Sequence, residues 1–160
     1  MKNRGFIIRT GLAFLFFIAF APLYSQTAAR LETLLEKPAI TWSDAAAFVL
    51  EASDTAVSNP ADAFRYAMEH QWLPKNAAID DTVRLNGISL LLMRSFNMKG
   101  GIFFNLFKSP HHAYRELVYR GVIRSETDPD MAVSGQQMLL MVSRLLAIKE
   151  RTAPLQQEAL

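Results

Sequence analysis

Displaced by 50 positions, the sequence aligns with itself without a gap, residues 63–96 falling on 113–146. Ala63 meets Ala113, Arg65 meets Arg115, Asp80 meets Asp130, Val83 meets Val133, Leu90 meets Leu140 and Arg94 meets Arg144. Apolar positions also meet apolar ones: Phe64 and Tyr114, Ala67 and Leu117, Trp72 and Val122, Leu73 and Ile123, Leu92 and Val142, Phe96 and Leu146. Self-similarity at a fixed period means one supersecondary unit used more than once, each too small to bury its apolar face alone. A partial copy stands upstream, where Ile40, Thr41 and Asp44 occupy the places of Val133, Ser134 and Gln137. The order is half a unit followed by two whole units of about 50 residues.

Each unit reads as helix, tight link, helix. Thr41 and Asp44 form a capping box before AAAFVLEA, predicting a helix over 42–52. Asn59 followed by Pro60 starts a second helix, with Ala63, Phe64, Ala67, Met68 and Trp72 at three- and four-residue spacing and an end near Pro74. Asp80 and Asp81 place negative charge at the start of a third, whose apolar stripe is Val83, Ile88, Leu91, Leu92 and Phe96. Gly87 weakens it by roughly 1 kcal/mol relative to alanine. Ser109 and Pro110 open a fourth, closed by Gly121; Ser134 and Gln137 box the start of a fifth, with Met138, Met141, Val142, Leu145 and Leu146 on one face. A short helix over 28–36 precedes them. No stretch alternates apolar and polar residues long enough for a central strand, so the fold class is all-α, a compact bundle of helix pairs.

This pattern resembles the S-layer homology domain, whose repeats run helix, Gly-Ile-Val-like exit, Asp-Pro loop and a second helix opened by Thr-Arg-Ala-Glu. The resemblance is carried by Ala113, Tyr114, Leu117, Gly121, Val122, Ile123, Asp128, Pro129, Val133 and Ser134, with a weaker copy in Ala63, Ala67, Trp72, Leu73 and Asp80. It covers roughly residues 40–148. It implies three-fold-like packing of helix pairs and attachment to acidic cell-wall polysaccharide. The family's signature arginine is replaced by Trp42 in the first capping box and by Gly135 in the last, while Arg84 stands near that place in the middle unit. Fixed cationic donors are what an anionic sugar requires, so two of three copies have lost that feature.

Lys2, Arg4 and Arg9 precede the uncharged run 11–21 (GLAFLFFIAFA), which stops at Pro22. This order predicts a signal peptide over 1–25; the run is shorter than the roughly 20 residues of a spanning helix. The expected organisation is then an extension with a short helix over 26–39, the repeat domain over 40–150 and a flexible tail over 151–160. The expected location is the periplasm, cell envelope or outer surface. No cysteine is present, which excludes disulfide scaffolds and cysteine-ligated metal sites and leaves packing as the source of stability. Without the three leader cations the chain is nearly neutral, which excludes a field of the strength nucleic-acid binding needs.

No catalytic residues, metal ligands or cofactor are assigned. His111 and His112 are adjacent and point about 100° apart on a helix, a poor chelating pair. Asp128, Pro129 and Asp130 suit an Asx turn rather than a calcium loop. In 97–108 (NMKGGIFFNLFK), five apolar side chains crowd six positions between Lys99 and Lys108. They either fold back over the helices or dock a partner protein or membrane interface. Trp42, Arg84, Phe103, Phe104 and Tyr114 are the candidate contacts. Trp42 is the tryptophan expected at the surface and Trp72 the one expected in the core. The leading expectation is a non-enzymatic exported binding or assembly module whose partner is an envelope protein or wall glycan. The alternatives are an envelope enzyme or accessory subunit acting near His111, His112 and Glu116, and an interfacial membrane protein using Phe103, Phe104 and Phe107.

Overall fold

A computed structural model describes residues 21–57, 59–124 and 127–157, and those residues hold seven helices and no strand. They are α1 (Ala21–Glu36), α2 (Trp42–Ala52), α3 (Pro60–Glu69), α4 (Leu85–Ser95), α5 (Ile102–Phe107), α6 (Pro110–Tyr119) and α7 (Gly135–Gln157). The protein is all-α, as the periodicity predicts. The chain divides into two compact units, one ending at Leu35 and one running from Glu36 to the C-terminus. Within the first, α1 takes in the expected short helix and extends N-terminal to it. The expected signal segment lies, for residues 1–20, outside the described residues.

In the second unit the helices obey the 50-residue offset. Pro60–Glu69 lies 50 positions before Pro110–Tyr119, and both helices are capped by a polar side chain, Asn59 or Ser109, with proline next. Both close the same way: Gln71 and Gly121 take left-handed φ of 57° and 72°, and the amides of Trp72 and Val122 return to the carbonyls of Ala67 and Leu117. This αL closure ends the helix before the expected limit near Pro74. Ala63 and Ala113 are both fully buried. The main contacts are between α2 and α3 and between α4 and α6; α5 rests on α6, and α2 also meets α4 and α7.

The three helices α2, α4 and α7 are tied at their N-termini by a closed ring of backbone hydrogen bonds. Ile40 N–H donates to Val133 C=O (2.9 Å), Val133 N–H to Val83 C=O (3.0 Å), and Val83 N–H to Ile40 C=O (2.9 Å). All three residues are fully buried, so an unpaired amide at any of them would cost about 1–3 kcal/mol. The next amides close a second cycle that runs in the opposite sense. Trp42 and Ser43 donate to Asp81 and Ile79, Leu85 and Asn86 to Met131 and Pro129, and Gly135 to Lys37. Each helix thus satisfies orphan first-turn amides on the loop that leads into the next.

That ring also explains a difference from the sequence expectation. Asp80 and Asp81 do not open α4: Thr82 and Arg84 form isolated bridges to Thr41 and Ala132, which hold 82–84 extended and start the helix at Leu85. Arg84 becomes the N-cap with no side-chain cap, whereas Thr41 and Ser134 make complete boxes with Asp44 and Gln137. At the other end α7 continues through Pro154 into the expected flexible tail, good helix formers standing on both sides of the proline.

Candidate functional site

Two of the five candidate residues share one cleft. Trp42, Arg84, Asn76, Asp81, Thr82 and Asn86 line a space of ≈ 450 Å³, with Pro74, Ala77, Gly87 and Pro110 completing the wall. Arg84 is exposed, and its Nη1 donates to Asp130 C=O at 2.7 Å, so the guanidinium is oriented from the neighbouring loop. Asn86 Nδ2 reaches the carboxylate of the same residue at 2.9 Å. Asp130 itself sits in the Asx turn expected from the sequence, its amide bound to Asp128 Oδ1.

Trp42 is not the surface contact that the sequence suggests. It is 4% exposed, because its indole lies over the first turn of α4. A Cβ on Gly87 would come within 2.8 Å of Trp42 Cη2 and 2.9 Å of Cζ2, far inside van der Waals contact. Gly87, which looks like a defect in a helical stripe, is the position that admits the indole edge. Trp72, expected in the core, is half-buried and instead joins Tyr66 and His70 in a ring cluster, with centroids 5.5 Å from both.

Tyr114 is buried too; its hydroxyl donates to Thr127 C=O, pinning the loop before the Asx turn. Phe104 is buried, packed where a Cβ on Gly100 would overlap its own Cβ and ring. Of the aromatic candidates only Phe103 faces solvent. The segment expected as a loop is the short helix α5, and both readings of its apolar side chains hold in part: Phe104 folds inward, while Ile102, Phe103, Leu106 and Phe107 are 82%, 68%, 71% and 57% exposed. Tyr119 on α6, which carries no distinguishing sequence signal, is more exposed still.

Of the residues considered for an enzyme, His112 and Glu116 line one groove beside α5, and each is held by a neighbouring side chain. His112 Nδ1 lies 2.7 Å from Ser109 Oγ, and its ring stacks beside Phe107 and Phe103 with centroids 5.2 and 6.2 Å away. Its neighbour His111 meets it edge-on at 5.5 Å. Glu116 accepts from Arg120 Nε at 2.8 Å and from the Gly101 amide at 3.0 Å. Among the described residues no three metal-ligating side chains gather. Asp44 carries the displaced titration: burial raises its pKa, but Lys37 Nζ at 2.8 Å and the Thr41 amide and hydroxyl at 3.1 and 2.9 Å outweigh burial and hold it below the ordinary value. These partners make it a structural carboxylate, closing the N-terminus of α2.

No family model, curated protein or solved structure matches this chain. Among the described residues no helix is long and apolar enough to cross a membrane.

Proposed function

We propose that the chain is an exported, non-enzymatic binding module of the cell envelope, with wall polysaccharide or an envelope protein as its partner. The observation that carries this reading is the cleft shared by Trp42 and Arg84. Arg84, Asn76, Asn86, Asp81 and Thr82 supply donors and acceptors around it, and the indole edge and two prolines supply an apolar floor. Few polar groups placed on a mostly formed wall are what orient a polar chain in a binding site. The ring through Ile40, Val83 and Val133 further supports likeness to S-layer homology repeats, since it relates three helix starts in cyclic order. Arg84, the cation nearest the family's signature place, lines the cleft, so an acidic sugar has one oriented guanidinium available.

Sedimentation of the full chain with purified cell-wall sacculi tests the reading. Wild type is expected in the pellet, and Arg84→Ala with Asn86→Ala in the supernatant with an unchanged melting curve. A wild-type chain that stays in the supernatant and binds no purified envelope component overturns it.

A further inference from the structure

A second surface, independent of the cleft, is built on α5. On a six-residue helix, Ile102, Phe103, Leu106 and Phe107 occupy one arc of about 140°, and Phe104 points the opposite way into the protein. The helix is not a loose flap. Arg120 donates to Lys99 C=O, Gly101 N–H to Glu116 Oε2, and Asn105 Nδ2 to Gly100 C=O at 2.9 Å, while His112 stacks beside Phe103 and Phe107. Contacts along α6, from His112 to Arg120, hold four large apolar side chains outward. Tyr119 lies beside them, across a groove of ≈ 360 Å³ that it lines with Ile102, Phe103 and Arg115.

Charge distinguishes the possible occupants. Residues 97–119 contain Lys99, Lys108 and Arg115 but one acid, Glu116, and that carboxylate is already bound to Arg120 and Gly101. All three cations are exposed. A second copy docked face to face would set these cations against their own counterparts. An anionic bilayer meets both features: the apolar arc enters the acyl boundary, the cations remain among headgroup phosphates, and a tyrosine stands at the rim. We infer that α5 is a membrane-docking wedge by which the protein rests on an anionic lipid surface.

The natural chain has no cysteine, so a fluorophore on Leu106→Cys reports from this face alone, and one on Glu51→Cys, exposed on α2, serves as the reference. The full chain is mixed with vesicles of phosphatidylethanolamine containing about one-third phosphatidylglycerol, and with neutral phosphatidylcholine vesicles. The readout is local because the apolar run at 11–21 brings lipid affinity of its own. With the anionic vesicles, quenching by lipid-borne nitroxide is expected at Leu106 and not at Glu51. Phe103→Ser with Phe107→Ser should return the Leu106 label to water without changing the melting curve. Lys99→Gln with Lys108→Gln should raise the lipid needed for half-maximal quenching by roughly 30-fold, about five-fold for each charge. The inference is overturned if the Leu106 label stays in water, or if both positions are quenched equally. It is also overturned if the label leaves water without lipid as protein concentration rises, which would assign the face to a second copy.

Discussion

Replacing Gly87 by alanine sets two effects of opposite sign against each other. Gly87 is in the first turn of α4, where alanine improves helix propensity by up to about 1 kcal/mol. The added methyl, however, falls 2.8 Å from Trp42 Cη2 and 2.9 Å from Cζ2, and ordinary contact begins near 3.4 Å. The indole must move by about half an ångström, but it is nearly fully buried and is a rigid ring. Overpacking of this kind costs about 1–3 kcal/mol, so the steric effect wins and Gly87→Ala should destabilise the protein by about 1–2 kcal/mol. Trp42→Leu alone should cost about 2–4 kcal/mol through the space it leaves. In that background the methyl has room, and Gly87→Ala should become stabilising by about 0.5–1 kcal/mol. Denaturant unfolding followed by far-ultraviolet circular dichroism measures all four chains without relying on tryptophan emission. A gain in stability from Gly87→Ala while Trp42 is present, or additivity of the two changes within about 0.5 kcal/mol, would refute the reasoning.

The two αL helix ends form a matched pair: Gly121→Ala should cost about 1 kcal/mol, whereas Gln71→Gly should stabilise by a similar or smaller amount, both read as shifts in thermal midpoint. Arg84→Ser supplies the missing cap of α4 and should raise stability by about 0.5–1 kcal/mol after loss of the exposed bond to Asp130, while weakening retention on sacculi. Ser134→Ala removes a complete capping box and should lower stability by about 1 kcal/mol in the same unfolding assay. Because the Asp44 pKa is depressed in the folded chain, its contribution is present above the ordinary value of 3.8 and is lost as pH falls through the lower folded value. Asp44→Asn should therefore lower the melting temperature at neutral pH and flatten its decline below pH 3.8; an unchanged acid slope would contradict the assignment.

Local chemistry was enough for most helix boundaries. Asn59 with Pro60, Ser109 with Pro110 and the Thr41 and Ser134 boxes act within four residues of themselves, so their hydrogen bonds form wherever the chain lies. The start of α4 escaped such reading. Its limit is set by bridges from Thr82 to Thr41 and from Arg84 to Ala132, separations of tens of residues that no local signal encodes. The candidate site divides along the same line. Arg84 is exposed in its cleft, but the reach of Trp42 into the space above Gly87 depends on two helices being brought together.

By itself the sequence determined the all-α class, the positions of most helix caps and the 50-residue correspondence between α3 and α6, because turns, caps and apolar period are short-range properties. Tertiary structure alone decided three things. Ile40, Val83 and Val133 close on one another, Trp42 and Tyr114 turn inward, and one of five crowded apolar side chains on α5 anchors while four face out. The reason is physical: a side chain's periodicity states that it needs a covered environment, and only the assembled backbone determines which neighbour arrives to cover it.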